Sequence, residues 1–312
     1  MKTKSIVIVI ALLVVAAGVV AFLQHKNPAQ TVESGKIEVI TTLFPLYDMA
    51  KNIGGDKAQA TLLLPPGAEA HSFEPTVGDI VKINEADIFV YTGKFMEPWA
   101  EDVISGVSNK NLAVVDASNN VKMIQGVFHD EDEPVGSSDP HIWLNFDNAK
   151  AMVENIKQAF IAKDAPNADF YAQRAADYEN QLSQIDAAYR STLSDCQSNE
   201  IVYGGHYAFG YLANRYGLKY LAAQGVSPDA EPSAKDLAAL VDQIKKDGIK
   251  YVFYEELTTP KISETIASET NAKMLLLNAA HNLSKDQFES GLSFFDILNS
   301  DLENLKVGLG CK

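Results

Sequence analysis

Cysteine is scarce in this sequence: only Cys196 and Cys311 occur among its 312 residues. Two thiols are too few for a disulfide-rich scaffold or for a metal site built from cysteines. The sequence contains neither a phosphate-binding GxxxxGK[ST] loop nor the HExxH signature of many zinc hydrolases. No basic stripe or arginine-rich helix stands out. These absences argue against ATP hydrolysis, against HExxH-type hydrolysis and against nucleic-acid binding.

The charge of the chain is strongly negative, with 41 acidic against 26 basic residues and a net charge of −15. Hydrophobic residues make up 46% of the sequence, which favours a folded globular protein over a disordered one. An acidic surface suits a protein that handles cations, although the need for solubility would explain it equally well.

The N-terminal segment decides the expected compartment. Lys2 and Lys4 precede an unbroken apolar run from Ile6 to Leu23, whose length lies between a signal-peptide core and a short membrane-spanning helix. Either interpretation puts the rest of the chain outside the cytoplasm, in the periplasm or at the cell surface. No lipoprotein cysteine follows the run. We therefore expect residues 1–26 to be a signal peptide or an uncleaved membrane anchor, and residues 27–36 to be a polar linker.

Strands and helices are predicted to alternate in both halves of the chain, which favours parallel sheets. Between the halves, apolar residues recur at helical spacing from about Asn148 to Ser194, and we expect Pro166 to divide this stretch into two helices. The pattern predicts an α/β protein with an N-terminal lobe at 37–147, connecting helices at 148–197 and a C-terminal lobe at 198–312. The predicted strands are Ile37–Thr42, Gln59–Leu64, Ile88–Tyr91, Leu112–Val115, Glu200–Tyr203, Lys250–Tyr254 and Lys273–Leu277, and the tail from Lys285 to Leu309 is predicted to be helical.

Four of the six histidines fall in predicted loops, two in each half of the chain. Neutral imidazole is the commonest transition-metal ligand, and ligands contributed by both halves would place a metal in the cleft between the lobes. The alternative is coincidence, with each ring satisfied by water or backbone carbonyls. The other two, His25 and His129, are better explained as solvated, although the acidic loop at 129–133 could collect cations loosely. The candidate ligands are His71, His141, His206 and His281.

Several segments resemble the zinc/manganese class (cluster A-I) of ABC-transporter substrate-binding proteins. They are Gly67–Thr76, Asp139–Leu144, Gly205–Tyr211, Glu255-Glu256, Ile266–Thr270 and Leu277–Asn282. The resemblance implies two lobes, each with a parallel four-stranded sheet flanked by helices, joined by a long backbone helix. It implies a metal at the lobe interface on His71, His141 and His206. It also implies a binding protein rather than an enzyme, with an ABC permease and its separate ATPase as partners.

The fourth position of that family is usually a carboxylate or is left to water, whereas here it is His281, with Asn278 three residues earlier. Histidine at position 206 resembles the zinc-uptake branch, since manganese-binding members tend to have glutamate there. The resemblance therefore implies Zn²⁺ as the transported ligand in preference to Mn²⁺, although four nitrogens could also hold nickel, cobalt or copper. A cell-surface zinc hydrolase and a surface adhesin are the alternatives. We expect a monomer.

The two cysteines are either unrelated thiols or one disulfide, which an extracytoplasmic compartment permits. Cys196 follows the predicted connecting helices and Cys311 follows the predicted C-terminal helix. A final helix that packs back beside the first strand of the C-terminal lobe would bring them together. We predict that they form a disulfide.

Overall fold

The computed structural model describes residues 35–125, 138–226, 232–257 and 260–312. The chain divides into two compact units, Met1–Lys36 and Ile37–Lys312, and every helix and strand below belongs to the second. The predictions for residues 1–26, the linker up to residue 34, His25 and the loop at 129–133 concern positions outside the described ones. Within the described part of the chain, no helix is both long enough and apolar enough to cross a membrane.

The N-terminal lobe is built on a four-stranded parallel sheet of order β2-β1-β3-β4. β1 lies at the centre, where Val39 pairs with Ala60 on one side and Ile88 on the other. β3 is buried along its whole length, as expected for a short apolar run within a parallel sheet. The elements are β1 (Ile37–Thr41), α1 (Phe44–Gly54), β2 (Ala58–Leu62), α2 (Val77–Glu85), β3 (Ile88–Tyr91), α3 (Ala100–Gly106) and β4 (Ala113–Asp116).

Two helices connect the lobes, α4 (Phe146–Lys163) and α5 (Ala168–Leu193). They are separated by a 3₁₀ turn at Ala165–Asn167 that carries Pro166, so the predicted break is confirmed. The longer helix, α5, contacts both halves of the molecule. Its Tyr178 hydroxyl donates to Asp48 on α1 at 2.7 Å, and its Tyr189 hydroxyl donates to the Leu298 carbonyl of the C-terminal lobe at 2.7 Å. It is the long backbone helix that the resemblance implied.

The C-terminal lobe repeats the architecture with a parallel sheet of order β6-β5-β7-β8. Its elements are β5 (Glu200–Tyr203), α6 (Gly210–Tyr216), β6 (Lys219–Ala222), α7 (Ala234–Asp247), β7 (Tyr251–Tyr254), α8 (Lys261–Thr270), β8 (Lys273–Leu276), α9 (Lys285–Ser290) and α10 (Phe294–Leu309). One continuous hydrophobic core runs through both lobes and the connecting helices. The predicted fold class is confirmed.

Three elements differ from the sequence-based expectations. The edge strand β6 was not predicted, because all four of its residues are at least partly exposed and it follows closely after a helix. The short helix α3 was also missed. The predicted helical tail is two helices, because Gly291 adopts a left-handed φ of 76° and ends α9, and Ser293 caps the start of α10.

The predicted disulfide between Cys196 and Cys311 is present. It joins the chain just after α5 to the chain just after α10. Backbone hydrogen bonds flank it: Ser198 N–H donates to the Leu309 carbonyl at 3.1 Å, and Lys312 N–H donates to the Asp195 carbonyl at 3.2 Å. The end of the connecting helices is therefore tied to the C-terminus by both covalent and hydrogen bonds.

Candidate metal centre

The four predicted histidines come together at one point. Three of them follow strands: His71 lies beyond β2, His206 follows β5 and His281 follows β8. The fourth, His141, precedes the 3₁₀ turn Ile142–Leu144, which leads into α4. One nitrogen from each ring lies within 4.8 Å of the others. The carboxyl ends of parallel strands share one edge of a sheet, and the two such edges face each other across the cleft between the lobes. The structure thus brings together every residue of the predicted set.

Two of the rings have a defined orientation because a buried carboxyl group holds each one. His141 Nδ1 lies 2.7 Å from Asp139 Oδ1, and His206 Nδ1 lies 2.6 Å from Glu255 Oε1. When Nδ1–H donates to a carboxylate, Nε2 of the same neutral ring carries a lone pair. These two Nε2 atoms lie only 3.2 Å apart. Two lone pairs cannot form a hydrogen bond with each other, so the arrangement requires a cation between them or a proton on one of them.

The spacing of these nitrogens matches tetrahedral coordination. Zinc–nitrogen bonds of about 2.0–2.1 Å at tetrahedral angles place neighbouring ligand nitrogens about 3.3 Å apart. His141 Nε2 lies 3.2 Å from His206 Nε2 and 3.3 Å from His71 Nε2. Nitrogen-only sites of this shape suit Zn²⁺ and other borderline metals better than Mn²⁺.

The fourth ring, His281, contributes a nitrogen without a hydrogen-bond partner in the described part of the chain. Its Nε2 atom is buried and makes no hydrogen bond with the described residues. Leaving a buried polar atom unsatisfied costs about 1–3 kcal/mol, a cost that coordination of a cation would remove. Asn278, the alternative at this position, uses its Oδ1 atom to accept the Ala280 N–H at 2.7 Å. His281 is therefore the better candidate for the fourth ligand.

Burial lowers the pKa of all four imidazole rings, and only at His206 does another effect outweigh it. Burial, together with the neighbouring histidines, holds the pKa of His71, His141 and His281 well below 6.5, so their lone pairs are free at neutral pH. Burial also lowers the pKa of His206, but the Glu255 carboxylate outweighs it and the net pKa is raised. Protons therefore compete with a metal mainly at His206.

The carboxyl groups around the histidines are costly to ionise without a cation. Burial raises the pKa of Asp139 to about 8. Burial and the charge of Glu255 raise the pKa of Glu256 to about 8. A divalent ion beside them would favour their ionised forms, because an opposite charge at short range stabilises a carboxylate. The electrostatics of the histidine cluster and its carboxyl groups thus favour binding of a cation.

Hydrogen bonds beside the histidines join loops of the two lobes. Trp143 Nε1 donates to the Ala279 carbonyl at 2.7 Å, and its ring packs edge-on against His141 and His281 at centroid distances of 5.5 and 5.3 Å. Asn282 Nδ2 donates to the Pro65 and Ala68 carbonyls in the loop that leads to His71, at 2.7 and 3.0 Å. The candidate ligands are held at fixed spacing by these contacts.

Sequence reasoning assigned no role to Asp139, Glu255, Glu256 or Trp143, although all four stand in the segments that carried the resemblance. The positions of the carboxylates in the sequence did indicate that they lie near the histidines. Asp139 precedes His141 by two residues, and Glu255-Glu256 directly follow β7, whose carboxyl end must lie beside those of β5 and β8. The pairing of each carboxylate with one imidazole could not be read from spacing, because it depends on how the loops fold.

The sequence matches the family described as zinc-uptake complex component A, periplasmic (ZnuA), over residues 39–308. The chain belongs to the ZnuA family. The match covers both lobes and all four clustered histidines. The fold is also that of solved members: the chain superposes with a TM-score of 0.76 on the Zn(II)-bound ZnuA-like domain of Streptococcus pneumoniae AdcA, at 33% identity, with 88% of this chain and 99% of that one covered.

Two curated relatives show how far the similarity to other ZnuA-family proteins extends. The high-affinity zinc uptake system protein ZnuA of Bacillus subtilis (strain 168) is 35% identical over 281 residues, covering 88% of each chain. The zinc-binding protein AdcA of Streptococcus pyogenes serotype M18 is 34% identical over 300 residues, covering 91% of this chain. This chain spans only 58% of the length of that AdcA protein.

Proposed function

We propose that this protein captures Zn²⁺ outside the cytoplasm and delivers it to the membrane permease of an ABC importer. The observation that carries the proposal is the convergence of four imidazole nitrogens, two from each lobe, within 4.8 Å of one another, with His141 Nε2 at tetrahedral spacing from the Nε2 atoms of His71 and His206. Membership in the ZnuA family and the zinc-binding names of the curated relatives support it. We propose His71, His141, His206 and His281 as the ligands.

Zinc is the proposed cargo because imidazole nitrogen suits it, whereas manganese favours carboxylate and water oxygens. The proposed site has no oxygen among its four ligands. Its carboxylates, Asp139, Glu255 and Glu256, contact the far nitrogens of the rings instead. Their negative charge would offset the positive charge of the ion, while all four atoms that coordinate it would still be nitrogens.

The proposed partners are the permease and a separate ATPase, which fits the absence of a phosphate-binding loop from the sequence. The family is described as periplasmic, which supports an extracytoplasmic location. We propose that residues 1–26 export the chain or anchor it, and that residues 27–36 separate this segment from the folded part. The lobes are proposed to comprise residues 37–147 and 198–312, with 148–197 connecting them.

We do not favour an enzyme, because catalytic zinc needs an open coordination position beside a general base and four histidines would close the shell. Hydrolytic turnover by the zinc-loaded protein would support the hydrolase alternative. Growth of a deletion strain in chelated medium distinguishes a transport component from an adhesin. Deletion of a transport component slows growth and added zinc restores it, whereas deletion of an adhesin alone has no such effect.

The direct test is metal analysis followed by competition. Protein purified from unsupplemented medium should contain about one zinc per chain, and a chromophoric chelator should report tight binding. Alanine at position 71, 141 or 206 should weaken binding by several orders of magnitude, because one bond is a large share of a binding free energy of about 10–16 kcal/mol. His129→Ala is the matched control, since we expect His129 to be solvated. Equal small losses from alanine at positions 71, 141, 206 and 281 would refute the site.

A further inference from the structure

His281 is the least firmly held of the three clustered histidines whose rings face a carboxylate. In the other two carboxylate-paired rings, Nδ1 lies 2.7 and 2.6 Å from its partner oxygen, whereas His281 Nδ1 lies 3.4 Å from Glu256 Oε1. The His281 side chain is nevertheless buried, with 8% of its surface exposed. Its Nε2 atom is the nitrogen left for the cluster. The orientation of this ring thus depends on Glu256 and on the turn that carries it.

Glu256 contacts that turn at two points. Its Oε2 atom accepts the Ala279 N–H at 3.1 Å, and its Oε1 atom faces the ring of His281. Glu256 follows β7 and the turn follows β8, so this carboxylate bridges two neighbouring strand ends. Both of its oxygens are committed to the same short segment, and its side chain is only 7% exposed.

The turn itself has an unfavourable backbone conformation that its neighbours must stabilise. Ala280 has a φ of 63°, in the left-handed region that a residue with a Cβ atom rarely adopts, because the Cβ atom comes too close to the following carbonyl oxygen. Asn278 Oδ1 accepts the Ala280 N–H at 2.7 Å, and Asn278 N–H donates to buried Asp301 at 2.9 Å. With Glu256 on Ala279, three successive N–H groups are fixed by side chains, and this conformation directs His281 into the cleft.

We propose that Glu256 is the positioning residue that makes His281 a metal ligand. It holds the turn at 278–281 through Ala279, and it accepts the Nδ1–H of His281 so that Nε2 keeps its lone pair toward the other three imidazoles. The proposal rests on the proposed function, because it assumes a metal at the cluster. The ring of His281 also contacts apolar Trp143 and the imidazole of His141. Glu256 supplies this ring with a carboxylate partner of the kind that His141 and His206 have in Asp139 and Glu255.

Glu256→Gln is the informative substitution. In the glutamate, Ala279 faces Oε2 and His281 faces Oε1, whereas a glutamine side chain presents an acceptor oxygen at only one of these positions and an NH₂ group at the other. Loss of an outer-sphere partner typically weakens metal affinity 10- to 100-fold, and we expect a loss in this range for Zn²⁺ measured against a competing chelator. The visible absorption of bound Co²⁺ should change in the same direction as in His281→Ala, because both variants disturb the same ligand.

A double-mutant cycle separates positioning from general charge. If Glu256 acts through His281, Glu256→Gln should cost less than about twofold in a His281→Ala background, since the two changes share one target. Glu255→Gln is the matched control: it makes the same chemical change at the adjacent residue, but its partner is His206, so its loss should persist in that background. His281→Gln replaces His281→Ala if the alanine variant does not fold by circular dichroism.

Two results would overturn the proposal. One is an equal loss of affinity from Glu256→Gln with and without His281, which would mean that the carboxylate acts only through its charge. The other is unchanged zinc affinity and an unchanged Co²⁺ spectrum in Glu256→Gln. Failure of the proposed function is distinguishable from both, because the unmodified protein would then bind neither Zn²⁺ nor Co²⁺ at this cluster.

Discussion

Removal of the Cys196–Cys311 disulfide should destabilise the protein without affecting its metal site. The bridge closes a segment of 115 residues. The chain-entropy relation for a loop of that length gives about 4–5 kcal/mol at 25 °C, an upper value because the relation ignores residual structure in the unfolded chain. For a domain of this size, such a loss lowers the melting temperature by about 10 °C.

The structure indicates why metal affinity should be unchanged. Cys196 precedes the first residue of β5, whereas His206 follows the last, and a strand of four residues separates the two ends by about 13 Å. The backbone hydrogen bonds from Ser198 to Leu309 and from Lys312 to Asp195 remain after reduction and hold the junction in place.

The assay compares the unmodified protein with Cys196→Ser/Cys311→Ser in thermal melts of the zinc-free form, and in chelator competition of both forms. Using the zinc-free form avoids stabilisation by the ligand. An unchanged melting temperature would refute the entropic reasoning. A tenfold loss of zinc affinity in the double variant would refute the claim that the bridge is remote from the site. Two free thiols in the denatured, unreduced protein would show that the bridge does not form.

Further predictions concern the metal site. Although burial lowers the pKa of His206, Glu255 outweighs it and holds this pKa above its ordinary value, so below that pKa zinc must displace a proton from the ring. Zinc affinity should therefore fall about tenfold for each pH unit below that pKa. Chelator competition that does not change between pH 7.5 and pH 5.5 would contradict this. Gly205→Ala should weaken zinc binding, because a Cβ there would collide with Glu255, whereas Gly106→Ala, where a Cβ meets nothing within 4 Å, should leave it unchanged.

Much of the fold was predictable because hydrophobic periodicity is a local property. The buried strands β3 and β5 read as short apolar runs, and Pro166 marked the break between the connecting helices. The edge strand β6 did not stand out, since an exposed edge lacks the continuous burial that makes a central strand apolar. The division of the tail depended on Gly291, whose left-handed conformation cannot be read from its identity alone.

The sequence by itself determined the class of chemistry: four histidines in loops beside parallel strands, a chain poor in cysteine, and segments that resemble metal-binding proteins of ABC importers. Only the tertiary structure decided how those histidines are used. Residues 71 and 281 are 210 positions apart in the chain, and nothing local brings their rings together at 5.4 Å. Their proximity arises from the packing of two sheets around one core and one backbone helix. The pairing of Asp139, Glu255 and Glu256 with individual rings follows from that packing too, because hydrogen bonds over 2.6 to 3.4 Å depend on positions that the order of residues does not specify.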